Sequence, residues 1–72
     1  MEYGNLKLAL YESNISIETV AKLLSIHRNS VSNKLNGNSS FTIEEAQKLK
    51  RYLLSKYDSE YLFKLTKKRE NK

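Results

Sequence analysis

The chain has 72 residues, enough for one domain with a small apolar core. It contains no cysteine, which excludes disulfides and thiolate metal sites, and with no proline and two glycines it is expected to be mostly helical. No apolar run approaches the length of a membrane-spanning helix, and the first residues lack the pattern of a secretory signal. We therefore expect a soluble cytoplasmic protein that does not enter membranes.

The positive charge is concentrated in the second half of the sequence. The formal net charge is +5, and residues 34–72 hold ten of the 13 basic and five of the eight acidic side chains. A basic excess of this kind favours a polyanionic partner such as nucleic acid. An AT-rich coding sequence encodes much lysine and asparagine and would give the same composition. Charge alone therefore does not show that the partner is nucleic acid.

The first predicted helix spans roughly Asn5 to Ser13. Its inward stripe is formed by Tyr3, Leu6, Ala9 and Leu10. Leu8 and Tyr11 fall on another side of this helix, where we expect partial exposure.

Two short helices separated by about three residues follow. Ser16 is placed to cap the first of them, and His27 is placed as an unusual cap of the second, which runs from about Arg28 to Asn36. The inward positions of the pair are Val20, Ala21, Leu23, Leu24, Val31 and Leu35. The outer surface of the second helix is then almost entirely amide, hydroxyl and guanidinium, which suits base edges and phosphates.

The rest of the chain predicts two more helices. Gly37 fits the residue after a helix end, and Thr42 to Glu45 form a capping box for a fourth helix that runs to about Ser55. Its buried positions are expected to be Ile43, Ala46, Leu49, Leu53 and Leu54. Asp58 is placed to cap a fifth helix through about Leu65, which would bury Leu62 and Phe63. Residues 66–72 contain no apolar residue and are predicted to be a frayed basic tail, leaving residues 1–65 as the domain.

This arrangement resembles the lambda-repressor-like domain of Cro/CI (XRE-type) transcriptional regulators. The matching segments are VAKLL at 20–24, IHRNSVS at 26–32, LNG at 35–37 and FTIEE at 41–45, and the resemblance covers about residues 5–65. It implies an all-α, compact five-helix fold with a helix-turn-helix at helices 2 and 3. Two positions depart from the family pattern: Ser25 stands where the turn usually has glycine, and Lys34 stands where a branched aliphatic residue is common, with Leu35 beside it.

The resemblance implies that the third helix reads double-stranded operator DNA in the major groove. It places base contacts at Arg28, Asn29, Ser32 and Asn33. Asparagine amides can pair with adenine, the guanidinium can fork onto guanine, and the serine hydroxyl can serve either base. Such proteins typically regulate transcription as dimers in phages and other mobile elements, so a bacterial or phage-infected cell is the expected setting and repression the expected action.

Contacts to the DNA backbone are expected around this reading surface. The N–H groups at Ile17, Glu18 and Thr19 begin a helix, where unpaired donors and the helix dipole attract phosphate. The other expected backbone contacts are Lys22, His27, Lys34, Asn36, Asn38, Ser39 and Ser40. Lys67, Lys68 and Arg69 are most simply solvated charges.

Other functions have less support in the residues. One histidine, no cysteine and no glycine-rich phosphate loop give no basis for an enzyme, and no metal, cofactor or small-molecule ligand is expected. A weak homodimer, or a dimer formed on DNA, would have to use the loop after Gly37, the last two helices, or the Leu8 and Tyr11 patch. The candidate dimer surface includes three tyrosines, Tyr52, Tyr57 and Tyr61. The alternative, which the sequence supports equally, is that these tyrosines cover a small core. The competing interpretation is a small protein-binding module, such as an antirepressor or inhibitor, which an exposed apolar patch would favour.

Overall fold

Five α-helices form the regular structure of residues 1–67, the part of the chain that the computed structural model describes. They are α1 (Gly4–Glu12), α2 (Ile17–Leu24), α3 (Arg28–Leu35), α4 (Ile43–Tyr52) and α5 (Ser59–Leu62). No strand occurs in this range, so the predicted all-α class is confirmed. None of these helices is both long enough and apolar enough to cross a lipid bilayer.

Three of the predicted helix starts have the predicted caps, at Ser16, His27 and Thr42. The Ser16 hydroxyl accepts from the Thr19 N–H at 3.1 Å. Thr42 and Glu45 form the full capping box, with both reciprocal hydrogen bonds at 3.0 Å. Asp58 is the N-cap residue of α5, as predicted, but its side chain makes no capping bond there.

The last two helices are shorter than predicted. The N–H groups of Leu53 and Leu54 both donate to the Leu49 carbonyl, which ends α4 at Tyr52 and turns Leu54 into the core. α5 ends at Leu62, which is fully buried, and Leu65, the last residue of the predicted helix, is exposed.

Burial within α4 also differs from the prediction. Leu49 is completely buried, and Ala46 and Leu53 are half-buried. Ile43, expected in the core, is 79% exposed. The side of α4 that carries Leu49 faces the core, and Ile43 lies on a different side of the helix.

All five helices contribute to one apolar core. α2 packs against α3 and α4, while α1 packs against α3 and α5. The largest fully enclosed side chains are Leu6, Val20, Val31, Leu49, Leu54 and Leu62. The rings of Tyr3, Phe41 and Phe63 meet edge to face against this core, with centroids 5.1–6.4 Å apart. Leu8 and Tyr11 are exposed on α1, as predicted.

The two ends of the described chain meet beside α3. Glu2 and Thr66 exchange both backbone hydrogen bonds, at 2.9 and 2.7 Å, and the Tyr3 N–H donates to the Leu35 carbonyl at 2.9 Å. The prediction of a frayed tail is therefore wrong at Thr66, whose backbone gains partners that no local pattern indicates. Residues 68–72 of the predicted tail, including Lys68 and Arg69, lie outside the described residues.

Candidate nucleic-acid interface

α2 and α3 are joined by a tight three-residue connection. Ser25 ends α2 in the left-handed conformation, with φ 58°, where its hydroxymethyl group costs more than glycine would. Immediately after it, the Ile26 N–H donates to the Ala21 carbonyl at 3.1 Å. His27 then caps α3 as predicted, because its Nδ1 accepts from the Asn29 N–H at 3.0 Å. This hydrogen bond leaves Nε2 as the ring's remaining polar atom, on an exposed side chain.

The inner side of α3 is anchored by two aliphatic residues. Val31 is completely buried and Leu35 is 4% exposed, so both predicted inward positions are in the core. The helix therefore presents a fixed outer side, which contains the residues predicted to contact bases.

The two asparagine amides on that outer side have no competing partner. Asn29 and Asn33 are exposed, and within residues 1–67 neither side chain makes a hydrogen bond. They are four residues apart, about one helical turn, so both amides lie on one side of α3. Ser32 lies beside them but is half-buried.

Arg28 forms an ion pair that joins the starts of the two helices. Its guanidinium lies 3.2 Å from the Glu18 carboxylate, and the two side chains are 64% and 68% exposed. An exposed pair of this kind contributes about 0–1 kcal/mol, so the guanidinium can exchange Glu18 for another acceptor at small cost.

The start of α2 retains unpaired donors. The Ser16 hydroxyl satisfies the Thr19 N–H, and within the described residues the N–H groups of Ile17 and Glu18 have no protein acceptor. Their side chains and that of Thr19 are exposed. The Glu18 carboxylate opposes an anion here, although Arg28 partly neutralises it.

Two of the residues expected to contact phosphate also make contacts within the protein. The Lys34 ammonium donates to the Ser40 carbonyl at 2.9 Å, lies 3.3 Å from the Glu45 carboxylate and 5.9 Å from the Phe41 ring centroid, and its side chain is only 15% exposed. Lys34 therefore fastens the loop after α3 onto α4. Lys34 stands where the family resemblance predicts an aliphatic side chain. Its charge is compensated by the Ser40 carbonyl and the Glu45 carboxylate.

Asn36 has a similar structural role at the end of α3. Its Oδ1 accepts from the Lys7 ammonium at 2.6 Å, and Lys7 also lies 2.7 Å from the Glu2 carboxylate. No local pattern predicts this link, because Lys7 and Asn36 are 29 positions apart.

The remaining predicted backbone contacts are exposed. Lys22 projects from α2, and Asn38, Ser39 and Ser40 follow Gly37, which has φ +86°. Gly37 is required there, since a Cβ would collide with the Met1 carbonyl oxygen. The Asn38 N–H donates to the Asn33 carbonyl at 2.9 Å, which orders the start of this loop.

A groove of about 440 Å³ borders the outer side of α3. Its apolar wall comes from Leu10, Tyr11, Ile15, Ile17 and Leu35, and Ser32 lies at its edge. Tyr11 of the predicted Leu8 and Tyr11 patch therefore lies near the outer side of α3, because α1 packs against α3, whereas Leu8 lines a different groove with Thr66 and Lys67.

Comparisons with known proteins found no match from which the role of this interface could be inferred. The chain matches no family model, no curated protein sequence and no solved structure.

Proposed function

We propose that this protein binds double-stranded DNA sequence-specifically, as a small Cro/CI-like repressor whose α2–α3 pair acts as a helix-turn-helix. The proposal rests on the difference between the two sides of α3. Its aliphatic side is locked in the core, while its exposed side offers the Asn29 and Asn33 amides without an internal partner.

The width of α3 fits the major groove. An α-helix with its side chains is about 10–12 Å in diameter, and the major groove is about 12 Å wide. Each asparagine can make a paired donor and acceptor contact with adenine, and each such contact discriminates by about 1–3 kcal/mol. Arg28 can leave Glu18 for guanine, since this gain exceeds the value of an exposed ion pair.

Phosphate contacts come from fewer groups than the sequence predicts. The internal bonds of Lys34 leave the start of α2, Lys22, His27, the Asn36 Nδ2 donor and residues 38–40 to position the protein. If about three phosphates are neutralised per subunit, the logarithm of the binding constant falls by roughly 2.7 per tenfold increase in salt.

The proposal is tested by selecting bound sequences from random double-stranded DNA. We expect enrichment of one motif, and loss of preference for it when Asn29 and Asn33 are both replaced by alanine. The circular dichroism spectrum should remain helical, because neither amide supports the fold.

Asn38→Ala is the matched control, since it also removes one exposed amide. It should weaken binding to all sequences to a similar extent without altering preference, because backbone contacts carry no base information. Undiminished discrimination by the double variant would show that α3 does not read the bases.

A protein-binding function is the second candidate, favoured by the apolar groove beside α3 and by Tyr11, which is 80% exposed. An antirepressor or inhibitor of this kind would enrich no DNA motif. It would depend on Tyr11 rather than on Asn29 and Asn33, so Tyr11→Ala against the double asparagine variant separates the two functions.

A further inference from the structure

A groove of about 650 Å³ runs between α4 and the chain around α5. Part of its lining comes from residues that recur at one-turn spacing and therefore share a side of α4: Ile43, Ala46, Gln47 and Lys50. Ser59 and Phe63 line the groove from the α5 segment. None of the lining residues belongs to α2 or α3, so this α4 groove is separate from the candidate nucleic-acid interface.

Apolar side chains meet in the α4 groove. Ile43 is 79% exposed, and Ala46 and Phe63 are half-buried. A single exposed apolar side chain is ordinary on a protein surface, but here three of them line one groove. A partner that places its own apolar side chains in the groove would remove this surface from water.

The charge of the α4 groove is predominantly positive. Three basic side chains, Lys48, Lys50 and Arg51, line it together with one acidic side chain, Glu44. Within residues 1–67, no carboxylate lies within ion-pair distance of any of the three basic groups.

The other contacts of α4 do not neutralise these charges. Lys50 donates to the Ser55 carbonyl at 2.7 Å, a contact that brings no negative charge. Glu45, the second acidic residue of α4, is already paired with Lys34. The dipole of α4 favours basic groups near its C-terminal end, but it leaves them open to a carboxylate from outside.

We propose that the α4 groove binds an acidic amphipathic helix of another protein. The apolar side chains of this partner contact Ile43, Ala46 and Phe63, and its carboxylates pair with the three basic side chains. α4 is about 15 Å long, which matches about three turns of a partner helix with anchors at i, i+3 or i+4, and i+7. The inference stands on the α4 groove and depends on neither of the functions proposed for the α3 surface.

Nucleic acid fits the α4 groove less well than an acidic protein does. A phosphodiester backbone supplies negative charge, but it has no apolar side chain to place against Ile43 and Ala46. Glu44 also lines the groove and repels phosphate, whereas a protein partner can place a neutral or basic residue beside it. The combination of apolar and basic groups therefore favours a protein helix.

A designed peptide of about 15 residues tests the proposal, since shorter helices are marginal in water. It carries leucine at i, i+3, i+4 and i+7 and glutamate at most other positions. We expect saturable one-to-one binding to the full chain by fluorescence anisotropy, with amide chemical-shift changes at residues of the α4 groove.

Two further peptides separate the contributions of charge and apolar contact. The same peptide with lysine in place of glutamate should not bind, because its charge is repelled. Polyglutamate of equal length should bind about tenfold more weakly or less, because it buries no apolar side chain.

Charge reversal in the groove provides the second measurement. Lys48→Glu/Arg51→Glu should weaken binding of the leucine–glutamate peptide by about tenfold or more, because like charges then face one another. Lys56→Glu/Lys67→Glu is the matched control, since it makes the same change in net charge at two exposed residues that do not line the groove. It should weaken binding by less than about threefold at physiological salt, where distant charges are screened. Circular dichroism of each variant confirms that it is folded.

Three results would overturn the proposal: no binding at millimolar peptide, equal losses for the two double variants, or chemical-shift changes on α3 in place of α4. Polyglutamate that binds as well as the leucine–glutamate peptide would also overturn it, because the contact would then be charge attraction alone. Displacement of the peptide by duplex DNA of unrelated sequence, at similar affinity and from the same amides, would assign the groove to nucleic acid instead. None of these results bears on the functions proposed for the α3 surface, which the asparagine and Tyr11 variants test separately.

Discussion

Ser25 and Asn14 both adopt the left-handed backbone conformation, but they differ in how well they tolerate it. Their φ angles are 58° and 59°, and they are the non-glycine residues with positive φ in residues 1–67. Asparagine visits this region readily, whereas serine carries more of the penalty of about 1–2 kcal/mol for an ordinary L-residue. The turn between α2 and α3 is consequently under more strain than the turn after α1.

We predict that Ser25→Gly raises the free energy of unfolding by about 0.5–1 kcal/mol, because relief of the left-handed penalty exceeds the added flexibility of the unfolded chain. Asn14→Gly is the matched control and should change stability little. Urea denaturation measures both. Equal effects at the two positions would show that the Ser25 side chain is accommodated without strain.

The residue-scale predictions succeeded where the signal was local. The inward positions Val31 and Leu35 follow from helical spacing, and the cap at His27 follows from its place before the apolar repeat. The internal role of Lys34 did not follow, because its partners Ser40 and Glu45 become neighbours only when the loop folds back onto α3.

Helix starts were easier to predict than helix ends, because a start depends on residues that are close together in the sequence. A start such as Thr42 is defined within four residues by its own capping box. The end of α4 depends on Leu54 entering the core, and the exposure of Ile43 depends on how the whole helix is rotated about Leu49. Spacing along the sequence does not specify that rotation.

We predict that Thr42→Ala lowers the free energy of unfolding by about 1 kcal/mol, since it removes the oxygen that accepts the Glu45 N–H. Asp58→Ala is the control at the start of α5, where no capping bond exists, and should change stability by less than about 0.5 kcal/mol. Thermal unfolding followed by circular dichroism compares them. A larger loss for Asp58→Ala would mean that the solvated Asp58 carboxylate supports α5 in some other way.

At the scale of the molecule, both ends of the described chain brace the far end of α3. Tyr3 donates to the Leu35 carbonyl, Lys7 binds Asn36, and Glu2 pairs with Thr66. These contacts join residues up to 64 positions apart, which explains why the sequence predicted a domain ending at residue 65. The structure makes Thr66 part of the support for the proposed reading helix.

We predict that a chain ending at Leu65 is less stable than one ending at Lys67 by about 1–3 kcal/mol, because it loses the two backbone hydrogen bonds between Glu2 and Thr66. The chain ending at Lys67 is the control for shortening itself, because it keeps Thr66. Amide hydrogen exchange locates the effect, because the Glu2 and Tyr3 N–H groups should lose protection in the shorter chain. The Val20 N–H in α2 should lose protection only by the amount that the global free energy of unfolding falls. Equal stability of the two truncated chains would show that the bridge at Thr66 adds nothing to the fold and that the domain ends at residue 65.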